Sequence, residues 1–518
     1  MKKILILVVS LALFSCEDYV DVNEDQSNNP YGDQLRPNNM MSAAIKNYTA
    51  NQVVSLNSYG NEMAYVWALN TGYTSVAPYF SYNYSSSSYS GLFDNSMVNA
   101  GYFQKIMNRE AQFPEYSYHY GVSRIFKVMC YDYLLALYGD VPYSQAFKSD
   151  ITEPAYDDDA TIYPKLFAEL DAARNYFTNP DVNVIALGAE DIVFAGDITK
   201  WEEFANTIEL RLLMRLSSTT NANLIALRTS RFATLNSNFI ADDVAVNPGY
   251  GDDTVGQRTP VAISFGRTAD DSDYLDGYKS NAAGEFASKL VQGQISTPEI
   301  NSTGVLDPRR LRIFSGTTFT KQGVFPNAGV SRFSTFFQGR PYTASAANLP
   351  FNKDAQAVRS AYIFQLAESY FLQAEAVQRG FMTGSAEAFF DLGISSSFDF
   401  LNDFSWVGGV LPALNLAGYK TAISSKNGLG WAGSTDKINC IITQKYIALA
   451  NWNGMELYLD HLRTGYPDLP LPVGVTQSNR PNRLIYSNNE YSTNSSNVPN
   501  VTLSDLFTVN SKTPVYLQ

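Results

Sequence analysis

Apolar residues recur at helical spacing in several long segments of this chain, and this periodicity limits the fold to a mainly α architecture. Residues 124–138 form the clearest segment, because their apolar side chains share one helical face and Gly139 follows where a left-handed cap would end the helix. The helices follow one another as pairs, which predicts a helical-repeat scaffold. The same spacing predicts further helices over 40–69, 161–176, 199–217, 221–231, 361–379 and 436–461.

Two local signals refine this scaffold. Residues 199–202 read Thr-Lys-Trp-Glu, a capping-box pattern that places the start of a helix at Thr199. Ala367 and Ala374 lie on the apolar face of segment 361–379. Side chains this small would let a neighbouring helix approach closely.

Residues 240–356 differ in character from the helical segments. Gly, Pro, Asp, Asn, Ser and Thr interrupt short apolar runs here, which predicts long loops with a few short strands and one helix near 281–292. Loops of this length in a compact domain are usually functional, so we interpret 240–356 as a ligand-binding insertion on a rigid helical frame.

The N-terminus resembles that of a bacterial lipoprotein. Lys2 and Lys3 precede an apolar run over 4–14, which is too short to span a bilayer. The sequence Leu-Phe-Ser-Cys over 13–16 resembles a lipobox, so Cys16 is predicted to carry lipid; an ordinary secretory peptide is the alternative. Acidic residues directly after Cys16 are similar to the export signal of surface lipoproteins.

The predicted organisation has three parts. Residues 1–15 are a lipoprotein signal peptide, 16–39 a lipidated flexible leader and 40–518 a single domain that contains the insertion. No later segment approaches the roughly 20 apolar residues of a spanning helix, so membrane contact is expected through the lipid anchor only.

Composition and motifs exclude several function classes. The net charge of −13 argues against nucleic acid as a partner. With two histidines and none of the common catalytic motifs, the chain is not predicted to be an enzyme, although two facing carboxylates of a glycosidase stay open. No cofactor is expected. Asp157-Asp158-Asp159 lacks the spacing of an EF-hand loop, so a metal is not predicted and calcium is left open; Asp159 or Thr161 is expected to cap the next helix.

Aromatic residues interleaved with asparagine suggest where a ligand binds. Sugars offer apolar CH faces and hydroxyl edges, which suits flat rings flanked by polar side chains. The alternative is that these rings pack the loops onto the scaffold. Near-alternate aromatic residues over 79–84 also predict a strand. The candidate ligand-binding residues are Trp67, Asn70, Tyr73, Tyr79 and Tyr82, together with Arg267, Tyr274 and Tyr342 from the insertion.

Motifs in a fixed order over some 470 residues resemble the SusD/RagB-type nutrient-binding lipoproteins, SusD-like 2 subgroup. The matching pieces are the lipobox at Cys16, Leu-Tyr-Gly-Asp-Val-Pro-Tyr over 137–143, Arg-Leu-Leu-Met-Arg over 211–215, Asp-Pro-Arg-Arg over 307–310, Leu-Ala-Glu over 366–368, Gln-Ala-Glu-Ala over 373–376, Gln-Lys-Tyr over 444–446 and Pro-Asn-Arg over 481–483.

This resemblance implies a fold and a partner. The fold would be a curved scaffold of tetratricopeptide-like helix pairs with a loop-rich ligand-binding half. The protein would sit at the outer membrane, exposed at the cell surface, as a lid on a SusC-like TonB-dependent barrel. It would capture an oligosaccharide or polysaccharide fragment for import. Two alternatives stay open: the same role for peptides, or a structural lid with little affinity of its own.

Four charged residues of these motifs are interpreted as structural. Their helices should pack together, and a buried charge without a partner is costly. We therefore expect ion pairs within the scaffold from Arg211, Arg215, Glu368 and Glu375.

Overall fold

The structure is a computed structural model that describes residues 35–72, 78–251, 255–268, 272–324, 326, 328–333, 359–402 and 413–518. Within these residues no helix combines the length and apolar character needed to cross a bilayer. The helices are α1 (Pro37–Ala50), α2 (Asn57–Met63), α3 (Pro78–Ser81), α4 (Ser90–Met107), α5 (Ser117–Tyr138), α6 (Asp159–Thr178), α7 (Ile198–Arg215), α8 (Ala222–Thr234), α9 (Pro260–Phe265), α10 (Asp276–Lys279), α11 (Glu285–Val291), α12 (Arg310–Ile313), α13 (Leu366–Gln378), α14 (Ala386–Asn402), α15 (Leu416–Ile423), α16 (Lys437–Leu449), α17 (Gly454–Thr464) and α18 (Asn488–Thr493).

Within the described residues, three two-stranded antiparallel ribbons connect the loops to this mainly α scaffold. Each ribbon pairs segments that are separated along the chain. Backbone hydrogen bonds therefore join the start of the insertion to the segment that follows it, and join the insertion to the end of the first helical segment. The ribbons are β1 (Trp67–Leu69) with β5 (Asn281–Ala283), β2 (Val141–Pro142) with β3 (Tyr156–Asp157), and β4 (Val244–Val246) with β6 (Ala361–Phe364).

Neighbouring helices pack as the paired scaffold predicts, with α4 on α5, α5 on α6, and α13 on α14. Small residues set the closest approaches. A Cβ atom at Gly121 of α5 would lie 2.5 Å from the Phe177 ring of α6. Ala367 and Ala374 are buried, as expected for a close helix crossing.

Several predicted helix boundaries differ from the structure. The 40–69 segment begins at Pro37, inside the predicted leader, because proline is favoured in the first helical turn. It contains a π-helical stretch, Asn51–Leu56, and ends before β1. Segment 361–379 begins as β6, because its backbone pairs with β4, and becomes helical only at Leu366.

The helix ends were also predicted imperfectly. Asp197, not Thr199, caps α7 and accepts the N–H of Lys200 at 3.2 Å. Asp158 caps α6 in place of Asp159 or Thr161. Gly139 ends α5 with a positive φ, but its ψ of −117° is not that of a left-handed cap.

The predicted helix over 436–461 is two helices, α16 and α17. Asn451 breaks it with φ +74°, and its side chain and backbone N–H are engaged in hydrogen bonds to other segments. At the start of α17, the backbone of Gly454 lies directly against α2, so that a Cβ atom there would lie 2.2 Å from the Asn61 nitrogen. Tertiary hydrogen bonds and this backbone contact therefore decide the break.

A network of buried charges joins the helices. Arg215 of α7 pairs with Asp132 of α5 at 3.2 Å and with Glu456 of α17 at 2.7 Å. Arg211 pairs with Glu368 of α13 at 2.8 Å. The structural interpretation of the motif charges is confirmed. Arg463, paired with Glu375 and Asp460, and Lys445, paired with Asp460, complete the network.

Removing Arg215 should destabilise the fold strongly. The Arg215→Ala variant leaves Asp132 and Glu456 buried without this cation, and we expect the free energy of unfolding to fall by roughly 3–5 kcal/mol. Urea unfolding measures the difference. Lys200→Ala removes an exposed pair with Asp242 and should change stability by about 1 kcal/mol or less. Equal effects of the two substitutions would contradict the role assigned to the network.

A methyl group at the contact between α2 and α17 should also be poorly tolerated. A Cβ atom at Gly60 would lie 2.0 Å from the backbone nitrogen of Met455, so backbone must move. We expect Gly60→Ala to lower the free energy of unfolding by roughly 3 kcal/mol. Gly91→Ala is the matched control, because its Cβ atom would meet only the Asn95 side chain at 3.5 Å. A Gly60→Ala variant as stable as the control would show that the two helices separate easily.

Candidate functional site

Trp67 lies in β1 and is fully buried. Its ring stacks on Phe333 with centres 4.9 Å apart and meets Phe265 edge-on at 5.7 Å. The indole N–H donates to Oδ1 of Asn451 at 2.7 Å. The expectation that Trp67 contacts a ligand directly therefore needs correction, because two rings and a buried amide enclose it.

The rings above Trp67 form a column that rises to the surface. Phe333 meets Tyr278 edge-on at 5.0 Å, and Tyr278 lies 4.6 Å from Tyr274 between ring centres. Phe333 and Tyr278 are buried, whereas Tyr274 is half-buried. We call Trp67, Phe333, Tyr278 and Tyr274 the aromatic column. The column connects the buried core to one partly exposed ring.

Two arginines flank the outer end of the column. Arg267 and Tyr274 form an antiparallel β-bridge, and the Arg267 guanidinium lies 4.6 Å from the centre of the Tyr274 ring. The Arg332 guanidinium lies 5.4 Å from the Tyr278 ring. Both arginines are half-buried. We call the exposed parts of Arg267, Tyr274 and Arg332 the Tyr274 surface.

An acidic side chain borders the Tyr274 surface. The Thr268 N–H donates to the Asp273 carbonyl at 2.9 Å, which closes the turn before Tyr274. Lys279 donates to the Asp273 carboxylate at 2.8 Å, and this hydrogen bond lowers the pKa of Asp273. The carboxylate therefore stays ionised at neutral pH, where it accepts hydrogen bonds.

Asn70 is buried and positions the surface without belonging to it. Its N–H donates to the Ser280 carbonyl at 2.8 Å, and its side-chain amide donates to the Lys279 carbonyl at 3.2 Å. Its Oδ1 accepts the N–H of Thr71 at 2.9 Å. Asn70 thus extends the β1–β5 ribbon to the segment that carries Tyr274. The expectation that it contacts a ligand directly needs the same correction as that for Trp67.

Tyr82 is a packing residue and not an exposed ligand contact. Its ring is 1% exposed and lies 5.4 Å from Phe507 between ring centres, and its hydroxyl accepts a hydrogen bond from Arg480 at 3.3 Å. The predicted strand over 79–84 is also absent from these described residues. Pro78–Ser81 is helical, and Tyr82 has φ +56°, which turns the chain away from an extended path.

The structure does not describe the side chains of the remaining predicted residues. Cys16, Tyr73 and Tyr342 lie outside the described residues, as does the side chain of Tyr79. Their assignments stay predictions. Of the eight candidate ligand-binding residues, the structure brings Trp67, Asn70, Arg267 and Tyr274 into one region, with Arg267 and Tyr274 at its surface.

The acidic run Asp157–Asp159 does not converge on one point. Asp157 accepts the N–H groups of Tyr143 and Ser144, whereas Asp158 caps α6. Asp140 joins Asp158 and Asp159 instead, with one carboxylate oxygen of each within 4.8 Å of the others. Each of the three carboxylates accepts a backbone N–H group and keeps further lone pairs, so the expectation that no metal binds here stays a prediction. The absence of a cofactor stays a prediction.

The family comparison agrees with the fold. A family model described as SusD-like 2, "Starch-binding associating with outer membrane", matches residues 28–487, which is most of the chain. The chain belongs to this SusD-like family. No curated protein matches it.

Solved structures show the same fold at low sequence identity. A chitin-binding SusD homologue from Flavobacterium johnsoniae is 21% identical, with a TM-score of 0.66 over 88% of this chain and 94% of that one. A SusD homologue from Bacteroides fragilis is 20% identical, with a TM-score of 0.64 over 90% and 94%. A SusD/RagB family protein from Bacteroides thetaiotaomicron is 15% identical, with a TM-score of 0.66 over 90% and 95%. The SusD-like helical scaffold of the chain is thereby confirmed.

The acidic cluster generates a pH-dependent prediction. Burial, reinforced by Asp140 and Asp158, raises the pKa of Asp159 from 3.8 to about 7. A pKa that is higher in the folded protein stabilises the fold below about pH 4, and this stabilisation is lost as pH rises through 7. The Asn side chain of Asp159→Asn can still accept the Val515 N–H. We therefore expect the free energy of unfolding of the variant, relative to that of the wild type, to be higher at pH 8 than at pH 5 by roughly 1–3 kcal/mol.

Urea unfolding of both proteins at the two pH values tests this expectation. A variant that loses the same stability at pH 5 and pH 8 would contradict the raised pKa.

Calcium and a chelator form the second arm of the experiment. The expectation that no metal is bound predicts that neither changes the unfolding curve, whereas stabilisation of the wild type alone by calcium would overturn it.

Proposed function

We propose that this SusD-like protein captures oligosaccharide or polysaccharide fragments at the cell surface on the Tyr274 surface. It delivers them to a partner TonB-dependent outer-membrane transporter of the SusC type. The observation that carries the proposal is the aromatic column, because it ends in one partly exposed ring, Tyr274, with Arg267 against this ring and Arg332 against the neighbouring Tyr278 ring.

The chemistry of the surface suits a sugar. The Tyr274 ring offers a flat apolar face for the CH groups of a pyranose. The guanidinium groups of Arg267 and Arg332 donate hydrogen bonds to hydroxyl oxygens, and Asp273 accepts them from hydroxyl groups. Because the column is packed and hydrogen-bonded from below, little side-chain ordering is left to oppose binding.

The family supports the cellular part of the proposal. Its description combines starch binding with association at the outer membrane, and a protein of similar structure binds chitin. A lipid on Cys16 would hold the protein at that membrane, as the N-terminal sequence predicts. The role is capture and transfer without catalysis.

Titration calorimetry tests the capture step. Oligosaccharides derived from starch and from chitin, and in parallel mixed peptides, are titrated into the wild type and the Tyr274→Ala variant. We expect heat with a glycan, and about a tenfold weaker affinity in the variant because the stacking face is lost. Tyr118→Ala removes a half-buried ring from α5 and serves as the matched control, with unchanged affinity.

The other outcomes separate the alternatives. Heat with peptides alone would move the function to peptide capture. No heat with either class, together with loss of import on deletion of the gene, would indicate a structural lid. Trp67→Ala is not diagnostic, since it opens the buried core beneath the surface and should lower stability as well as affinity.

A further inference from the structure

Helix α9, whose Phe265 packs against Trp67, also lines a concave surface. It is an open groove with a volume of about 440 Å³ between α1 with its π-helical extension, α4 and α9. We call it the Asn-lined groove. Its main lining residues are Asn47, Asn51, Asn95, Asn99, Tyr102 and Ile263.

The asparagines are arranged as two facing pairs. Asn47 and Asn51 are four residues apart on one wall, and Asn95 and Asn99 are four apart on the other, so each pair shares a helical face. Asn47 and Asn95 are exposed at the rim, whereas Asn51 and Asn99 are buried below them. Each wall therefore presents a ladder of amide donors and acceptors from rim to floor.

The floor of the groove contains an unsatisfied acceptor. Asn51 is 7% exposed, and its Nδ2 donates to Ser96 Oγ of α4 at 3.3 Å. Its Oδ1 accepts no hydrogen bond from any residue that the structure describes. A buried acceptor of this kind is normally satisfied, so it indicates a hydroxyl or N–H group of a bound molecule, or ordered water.

Apolar side chains cover the spaces between the amides. Val98, Tyr102 and Ile263 are 51%, 37% and 39% exposed, and all three line the groove. Exposed apolar side chains that cluster in a concavity mark a binding surface more often than scattered ones do. Amide ladders alternating with a ring and aliphatic groups match the hydroxyl edges and CH faces of sugars. Among the residues that the structure describes, none that lines the groove is acidic.

The groove is built on irregular backbone that tertiary contacts hold in place. The π-helical stretch Asn51–Leu56 forms part of its wall. Gln52 donates to the Ile363 carbonyl at 2.6 Å, and Asn57, just after the stretch, donates to the Asn451 carbonyl at 2.7 Å. Single π-helical turns in otherwise regular helices occur frequently at functional sites.

Helix α9 connects the groove with the Tyr274 surface. Pro260 and Ile263 of α9 line the groove, while Phe265 at its end packs against Trp67 of the aromatic column. Arg258, also in the groove lining, donates to the Arg267 carbonyl at 3.4 Å. A residue that lines the groove is thus hydrogen-bonded to a residue of the Tyr274 surface, so the two surfaces adjoin, as the binding of one extended ligand requires.

We propose that the Asn-lined groove is a second saccharide subsite, which binds distal units of the glycan chain held on the Tyr274 surface. This inference rests on the proposed function and specifies the ligand further. The ligand is an oligomer long enough to contact the Asn-lined groove and the Tyr274 surface together, and its affinity should rise with its length.

Length-dependent titration tests the groove separately from the Tyr274 surface. The probes are the disaccharide and progressively longer oligomers of the chitin and starch series. In the wild type, affinity should rise with length. The groove variant Asn95→Ala/Tyr102→Ala alters exposed side chains only, and should bind the disaccharide normally but lose about tenfold in affinity for the longest oligomers. Tyr274→Ala should weaken binding at every length.

Asn223→Ala/Val182→Ser is the control, because both side chains are exposed and neither lines the groove. Thermal unfolding of all variants confirms that they fold. Equal affinities of wild type and groove variant for the long oligomers would overturn the subsite while leaving glycan capture intact. Absence of binding by the wild type at every length would overturn both proposals.

Discussion

The buried charge network is the constraint on which the rest of the structure depends. Burying an ionised side chain is costly, and the cost is offset only when its partner lies in contact. Here most of the pairs join different helices, so removal of one helix would leave buried charges on its neighbours without a partner. The pKa values of the buried carboxyl groups reflect the balance between burial and ion pairing. Burial raises the pKa of Glu368, whereas Lys445 and Arg463 outweigh burial at Asp460 and lower its pKa to about 2.

The network reaches the candidate site through helix α17. Glu456 holds α17 against Arg215, and the break that precedes α17 places Asn451 beside Trp67. From Asn451, side-chain contacts continue through the aromatic column to Tyr274. The Tyr274 surface is thus the outer end of a continuous series of buried contacts, although it lies on loops. The Asn-lined groove shares this support, since Asn57 binds the carbonyl of Asn451.

Charge and shape together fit the proposed ligand class. The chain is strongly acidic, which disfavours polyanions, whereas the Tyr274 surface and the groove carry arginine, tyrosine and asparagine. The proposed recognition there would depend on ring stacking and directional hydrogen bonds, not on long-range charge. Two such surfaces, joined by the hydrogen bond from Arg258 to the Arg267 carbonyl, would favour a chain-like ligand over a compact one.

The sequence alone determined the helical scaffold and the structural role of the motif charges. Helical periodicity and the cost of unpaired buried charge are local or general constraints that a single chain displays. It also identified Arg267 and Tyr274 among the candidate residues. It did not separate Tyr274, which reaches the surface, from Trp67 and Tyr82, which are buried, because aromatic residues suit both environments. Only the tertiary structure decided this, along with the helix break at Asn451 and the meeting of two asparagine pairs. Each depends on contacts between segments far apart in the chain, and no local pattern records which partner a ring or an amide will meet.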